Sequence, residues 1–151
     1  MREFDVEKRA DWLGLLALAD AALLAELADA NLRDETFEVL RGPETGLMMA
    51  NARLDGGGNR FNLAEIPVSR CTVRSRHGTA GVAYRIGRCP RIVSQIARLD
   101  ALLQLPSHHE RLRREVLAPL LVQLRRTWQQ ESQDSASSRV RFDTLTPETL
   151  S

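Results

Sequence analysis

The chain has 151 residues, 43% of them apolar, and its 21 basic and 20 acidic side chains leave a formal net charge of +1. These values are typical of one soluble globular domain, and no apolar run approaches the ~20 residues of a membrane-spanning helix. The acidic N-terminus lacks the pattern of a secretion signal, and Cys71 and Cys89 form neither a metal-type cluster nor a dense disulfide framework. We therefore expect a cytoplasmic protein with reduced thiols and no membrane association.

Charge is unevenly distributed along the chain. Residues 1–40 carry ten acidic and four basic side chains, whereas residues 41–99 carry ten arginines against three acidic side chains, a balance of +7. The planar guanidinium of arginine suits the recognition of carboxylate or phosphate groups. A GC-rich genome also raises arginine content, but it does not explain why acidic residues are scarce in the middle segment.

Two amphipathic helices are predicted at the N-terminus. Apolar residues recur at helical spacing over residues 6–19, and Asp20 is well placed to cap a second helix over residues 21–31. Four strands should follow, at 36–40, 47–54, 61–73 and 82–86, because turn-type sequences occupy 42–46, 55–59 and 77–79. Their simplest arrangement is an antiparallel meander with one buried face.

Helical spacing returns near Pro90, which suits the first turn of a helix over residues 90–104. Pro119 should split the next helical region into segments 107–118 and 119–131. The fold class is therefore α+β: two N-terminal helices, a four-stranded and mainly antiparallel sheet, then C-terminal helices. We expect residues 1–133 to form one domain and residues 134–151 a flexible linker and tail, in which Val140 and Phe142 dock on a partner or on the domain itself.

No set of residues predicts catalysis by this chain alone. Adjacent helical residues point about 100° apart, so His108 and His109 are poorly placed to share a metal, and His77 lies in a turn. Cys71 has no nearby histidine and reads as a buried or interface thiol. We therefore assign no catalytic residue and no metal ligand from the sequence.

The arginines are better candidates, for binding an anion or for contact with a partner. Arg53 and Arg60 bracket the glycine-rich turn, while Arg70 and Arg74 share one face of a strand because they are four residues apart. Arg88, with Arg85, follows on the next strand. Convergence of these side chains, helped by backbone N–H groups of the glycine turn, would hold an anion. The alternative is a solvated sheet face in which the glycines serve only the turn.

An ordered series of short motifs runs through the chain. Its members are Leu40-Arg41-Gly42-Pro43-Glu44-Thr45-Gly46-Leu47, Ala52-Arg53 with Arg60-Phe61-Asn62, Val68-Ser69-Arg70-Cys71-Thr72-Val73-Arg74, Gly78-Thr79-Ala80-Gly81, Gly87-Arg88, Asp100-Ala101-Leu102-Leu103-Gln104, Leu117-Ala118-Pro119-Leu120 and Ser138-Arg139-Val140-Arg141-Phe142. In this order they resemble the G subunit family of the bacterial carbon–phosphorus lyase core complex, which works in phosphonate catabolism. The match keeps one register over almost the whole chain. It departs from the family pattern at Cys89, where an aspartate is usual.

The resemblance implies a scaffold subunit without independent activity. Proteins of this family assemble with the H, I and J subunits, most directly with I. With the H, I and L subunits they support the displacement of adenine from ATP by methylphosphonate, which gives ribose 1-methylphosphonate 5-triphosphate. The resemblance places the iron–sulfur cluster and the zinc in other subunits, so no cofactor is expected on this chain alone.

A different class of function is a small nucleic-acid-binding protein that uses the arginine-rich sheet. Only the charge of residues 41–99 suggests it. An aromatic content of 5% and an isoelectric point near 7.9 argue against it, because single-stranded nucleic acid is usually held by aromatic stacking on a basic surface. We therefore expect no nucleic-acid partner.

Overall fold

The structure of the chain is a computed structural model that describes residues 2–53 and 60–137, and the side chains of residues 52–53, 60–63 and 137 lie outside that description. The elements in chain order are α1 (Arg9–Leu18), α2 (Ala21–Asn31), β1 (Phe37–Arg53), β2 (Arg60–Ser75), β3 (Ala80–Ile86), α3 (Pro90–Leu103), α4 (Pro106–Leu112), a π-helical turn (Arg113–Leu117) and α5 (Ala118–Ser137). Helices on both sequence flanks of one sheet confirm the predicted α+β class. Within the described ranges, no helix is long and apolar enough to cross a membrane.

The sheet is antiparallel, in the order β1-β2-β3. The prediction of four strands is wrong for the described part of the chain, because the first two predicted strands are one 17-residue strand. The expected turn at 42–46 lies inside β1. Pairing with β2 continues on both sides of it, but the register shifts between Val39 and Arg41 and again between Arg41 and Glu44. Each of these two shifts places one extra residue in β1, the first at Leu40 and the second at Gly42-Pro43, so this segment forms bulges rather than a turn.

Helix α3 covers the inner face of the sheet and supplies most of the core. Its first turn contains Pro90, as predicted, and its buried residues include Val93, Ile96, Leu99 and Leu102. β3 approaches α3 so closely at Gly81 that a Cβ atom there would overlap the backbone carbonyl of residue 97. Glycine is required at this position because the strand and the helix are in backbone contact.

The N-terminal helices follow the sequence prediction. α2 begins at Ala21, and the Asp20 carboxylate accepts a hydrogen bond from the Leu23 backbone N–H at 2.9 Å, as expected of an N-cap. α1 is shorter than predicted, since it begins only at Arg9. Its inner side contributes Leu15 and Leu16 to the core.

A buried carboxylate joins α1, α3 and β3. Asp100 is fully buried in α3 and accepts hydrogen bonds from Trp12 Nε1 and the Val82 backbone N–H, both at 2.9 Å. Arg9 donates to the same carboxylate from Nη2 at 2.8 Å and from Nε at 3.2 Å. These four hydrogen bonds satisfy the buried Asp100 carboxylate.

The C-terminal helical region is divided close to the predicted place. The π-helical turn ends one residue before α5, whose second residue is Pro119. Proline has no backbone N–H to donate to the preceding turn. The π-helical turn just before Pro119 is therefore consistent with the predicted interruption of the helix at this residue. α5 then continues to Ser137, which makes the first four residues of the predicted linker helical. Residues 138–151 lie outside the described part of the chain.

Candidate functional site

The outer face of the sheet carries Arg70 and Arg74, on one face as predicted, but each is neutralised by a glutamate. Arg70 Nε lies 2.6 Å from Glu44 Oε1, and Arg74 Nη1 lies 3.4 Å from Glu38 Oε2. Arg41 Nε shares the Glu44 carboxylate at 2.8 Å. Hydrogen bonds from Arg41 and then Arg70 hold the pKa of Glu44 below its usual value. Three arginines thus share two glutamates, which leaves one unmatched positive charge in this cluster.

Of the remaining candidate residues, only Arg88 has a described side chain, and it does not join this cluster. Arg88 follows β3 with an exposed side chain and has no ion-pair partner among the described residues. Arg53 pairs with Arg60 in the strand register, but their side chains lie outside the description, as do the glycine turn between them, Val140 and Phe142. Ten residues of strand, roughly 33 Å of extended chain, separate Arg60 from Arg70. The structure therefore does not bring the predicted arginines to one point.

A different set of arginines lines a groove between the end of α2, β1 and the first turns of α3. We call it the basic groove; its lining residues are Asp29, Leu32, Arg33, Val39, Pro43, Pro90, Arg91, Ser94, Gln95 and Arg98. Three arginines against one aspartate give it a net charge of +2. The Asp29 carboxylate is engaged, because it accepts hydrogen bonds from Arg91 at 2.9 Å and from Gln95 at 2.7 Å.

Of the three arginines, only Arg91 has a carboxylate partner among the described residues. Arg98 stacks its guanidinium over the Phe37 ring at 5.5 Å, and its buried Nε has no hydrogen-bond partner in the described structure. Arg33 is exposed and has no ion-pair partner within residues 2–53 and 60–137. Below the groove lies the Cys71 thiol, whose pKa is raised by burial although the Arg98 charge and the Ser94 hydrogen bond oppose the shift. A thiol of this kind is not an activated nucleophile.

Beyond β3 the sheet continues as a two-stranded arm. β3 pairs with β2 only over residues 68–74, whereas β1 and β2 stay paired out to Arg53 and Arg60. Apolar side chains in this arm are exposed: Leu47 by 60%, Met48 by 53% and Met49 by 46%. An isolated two-stranded ribbon is marginally stable in water, and clustered exposed apolar residues are typical of protein–protein contact surfaces.

The structure also assembles a polar cluster that the sequence did not predict. His77 in the β2–β3 turn and His108 in α4 both meet the Glu35 carboxylate, which precedes β1. Burial acts to raise the pKa of Glu35, but the His108 hydrogen bond and the charge of Arg76, followed by those of the histidines, outweigh it and leave the pKa lowered. The three residues are far apart in sequence, so no spacing motif marked them. His109, by contrast, pairs with Glu7 and the Leu103 carbonyl.

These features define a small α+β protein with a projecting strand arm and an arginine-lined groove. The family model described as "Phosphonate metabolism protein PhnG" matches residues 7–147. A similar curated protein is the "Alpha-D-ribose 1-methylphosphonate 5-triphosphate synthase subunit PhnG" of Rhizobium meliloti (strain 1021), with 36% identity over 143 residues that cover 93% of this chain and 89% of the relative. The chain belongs to the PhnG family of phosphonate metabolism proteins. This confirms the family resemblance found in the sequence.

Proposed function

We propose that the chain is a non-catalytic scaffold subunit of a carbon–phosphorus lyase core complex. The observation that carries the proposal is the 36% identity, over nearly the full length of both chains, to a synthase subunit. In this role it supports transfer of the ribose triphosphate moiety of ATP to an alkylphosphonate, with adenine displaced. The H, I and J subunits implied by the family resemblance are its partners.

The strand arm is the part of the chain best suited to hold a partner. Its exposed leucine and methionines offer apolar area that folding of this chain alone does not bury. Burial of such area stabilises a complex by roughly 25 cal/mol per Å². Methionine is flexible and polarizable, so it adapts well to a partner surface.

Co-expression with the H, I and J subunits, followed by size-exclusion chromatography, tests the proposed assembly. The wild-type chain should co-elute with the I subunit. Replacing Leu47 and Met49 together with glutamate should abolish co-elution, because both side chains lie on one face of the arm. Val122→Glu, at an exposed apolar position on α5, is the matched control and should leave co-elution intact. Separate elution of the wild-type chain would contradict the assembly role.

As part of this role, we propose that the basic groove binds an anionic group. It is a better candidate anion-binding site than the arginines of the outer sheet face. Arg33 and Arg98 are not neutralised by a carboxylate of the described chain, whereas Arg70 and Arg74 are. A phosphate or phosphonate bound there would receive charge-assisted hydrogen bonds from guanidinium groups. Its chemistry matches the triphosphate and phosphonate groups of the proposed reaction.

Adenine release by the assembled complex distinguishes binding from scaffolding. Arg98→Gln and Arg33→Gln should each lower the rate, or raise the KM for ATP or methylphosphonate, while the subunits still co-elute. Arg74→Gln is the control, because that arginine is paired with Glu38 on the outer face. Unchanged kinetics in both groove variants would restrict the chain to a structural role.

The nucleic-acid-binding alternative gains no support from the side-chain geometry. Its basis was the arginine excess of residues 41–99, and the glutamates of β1 offset that excess on the outer face of the sheet. The groove holds too few free cations to follow a phosphate backbone over several nucleotides. A salt-dependent gel shift of random RNA by the purified chain would instead support nucleic-acid binding.

A further inference from the structure

Three segments that are distant in sequence meet at one polar cluster. Glu35 lies between α2 and β1, His77 in the turn between β2 and β3, and His108 at the start of α4. His108 Nε2 is 3.1 Å from Glu35 Oε1, and His77 Nε2 is 3.4 Å from Glu35 Oε2. The two imidazole rings are 5.3 Å apart. Each residue directs one potential ligand atom toward a shared point.

We propose that Glu35, His77 and His108 form a binding site for a divalent transition-metal ion, with Zn²⁺ the best match. Two imidazoles and one carboxylate are a donor set that Zn²⁺ uses, with bonds of about 2.0–2.2 Å. Ligands at that distance in a tetrahedron lie roughly 3.4 Å from one another. The potential ligand atoms here all lie within 4.8 Å of one another, so small side-chain rotations close the site.

The atoms around the cluster support a site that is built rather than accidental. The Glu35 side chain is only 7% exposed, and its buried Oε2 accepts no hydrogen bond of good geometry in the described structure, although Arg76 Nε and His77 Nε2 lie 3.2 and 3.4 Å from it. A metal ion would give this buried oxygen a well-placed partner. Hydrogen bonds also orient the ligands: Ser107 Oγ lies 2.9 Å from His108 Nδ1, which leaves Nε2 directed at the cluster.

Arg76 is the neighbour that a metal ion would displace. Its Nε lies 3.2 Å from Glu35 Oε2, and its Nη2 lies 3.4 Å from Oε1. The side chain is more than half exposed, so it can move into solvent at a small cost in packing. His77 is also partly exposed, which leaves room for water as a fourth ligand. The site therefore resembles a metal site with one open position.

A metal ion bound there would link three parts of the fold. The turn that carries His77, the first turn of α4 and the segment that leads into β1 are otherwise joined through this cluster by hydrogen bonds and ion pairs only. Coordination would fix the start of the long β1–β2 hairpin against the helical layer. This proposal reverses the sequence-based expectation that none of the histidines is a ligand.

Titration of the purified, metal-free full-length chain with Co²⁺ and then Zn²⁺ tests the proposal. We expect one equivalent of Co²⁺ to produce the visible absorption of a four-coordinate ion and Zn²⁺ to displace it. At a hundredfold excess over its dissociation constant, Zn²⁺ should raise the Tm by roughly 5 °C or more. His77→Gln and His108→Gln should each weaken binding at least ~10-fold.

His109→Gln is the matched control, because that histidine is adjacent in α4 but pairs with Glu7 instead. It should bind metal like the wild type. His77 lies in an exposed turn, so its replacement keeps the fold intact, and circular dichroism would verify this. A wild-type chain that binds no Co²⁺ at 100-fold molar excess would overturn the proposal. So would equal binding by the wild type and both cluster variants, or loss of binding in the control alone.

Discussion

Asp100 gives the sharpest test of how this fold is held together. Replacement by alanine removes the acceptor for Trp12 Nε1 and for the Val82 N–H, each of which lies 2.9 Å from the carboxylate. A buried donor left without a partner costs about 1–3 kcal/mol. Arg9 is partly exposed and can regain water, so it adds little. We expect Asp100→Ala to lower the free energy of unfolding by about 4 kcal/mol, within the range for breaking a buried ion pair.

Urea unfolding followed by tryptophan fluorescence measures this loss. With a slope of about 2 kcal/mol per M for a domain of this size, the midpoint should fall by roughly 2 M. Glu38→Ala is the matched control, since that glutamate is exposed and pairs with the exposed Arg74 at 3.4 Å on the surface. Its cost should stay below ~1 kcal/mol. A loss for Asp100→Ala no larger than that of the control would refute the reasoning.

Three further predictions follow from the described contacts. Gly81→Ala should lower the free energy of unfolding by several kcal/mol in the same assay, or prevent folding, because the new Cβ overlaps the α3 backbone. Gly46→Ala is the control: its Cβ enters open space, so its loss of stability should be far smaller. In thiol titration, Cys71 should react only after unfolding, since it is buried with a raised pKa, whereas half-buried Cys89 should react first. The lowered pKa of Glu44 contributes stability that is present above the unfolded-state pKa, near 4.5, and is lost as pH falls through the folded-state pKa. The difference in stability between Glu44→Gln and the wild type should therefore shrink from pH 7 to pH 3. A difference that stays constant over this range would contradict the prediction.

The helices were predictable because their signals are local. The Asp20 cap and the Pro90 first turn each act within one helical turn, and both were found where the sequence placed them. The long first strand was not predictable from local signals. Gly42 and Pro43 are turn-forming residues, and only pairing with β2 on both sides shows that they form bulges.

Not every buried position of β2 carries an apolar side chain. Its inner face includes Ser69, which is fully buried but polar. The hydroxyl is satisfied, because it donates to the Gly87 carbonyl at 2.7 Å and accepts from the Cys89 N–H at 3.0 Å. A buried serine of this kind is invisible to hydrophobic periodicity.

Side-chain placement explains why the candidate site was only partly predictable. The sequence correctly placed Arg70 and Arg74 on one strand face, since that follows from a period of two. It could not show that glutamates of another strand neutralise them. The groove of Arg33 and Arg98, like the cluster around Glu35, depends on contacts between distant segments, and no spacing rule encodes such contacts.

The two edges of the sheet are protected from uncontrolled strand addition in different ways. Along β3, α3 occupies the edge: Asp100 accepts the Val82 N–H, and Gln104 donates to the Ala80 carbonyl at 2.7 Å. Along β1, no further strand pairs within the described ranges, but the bulges beside Pro43 interrupt the row of backbone groups. An incoming strand could not keep register past that point. In its three-stranded part the sheet therefore resists strand addition at both edges, whereas the two-stranded arm offers a partner both exposed apolar side chains and strand edges that no other described strand pairs with.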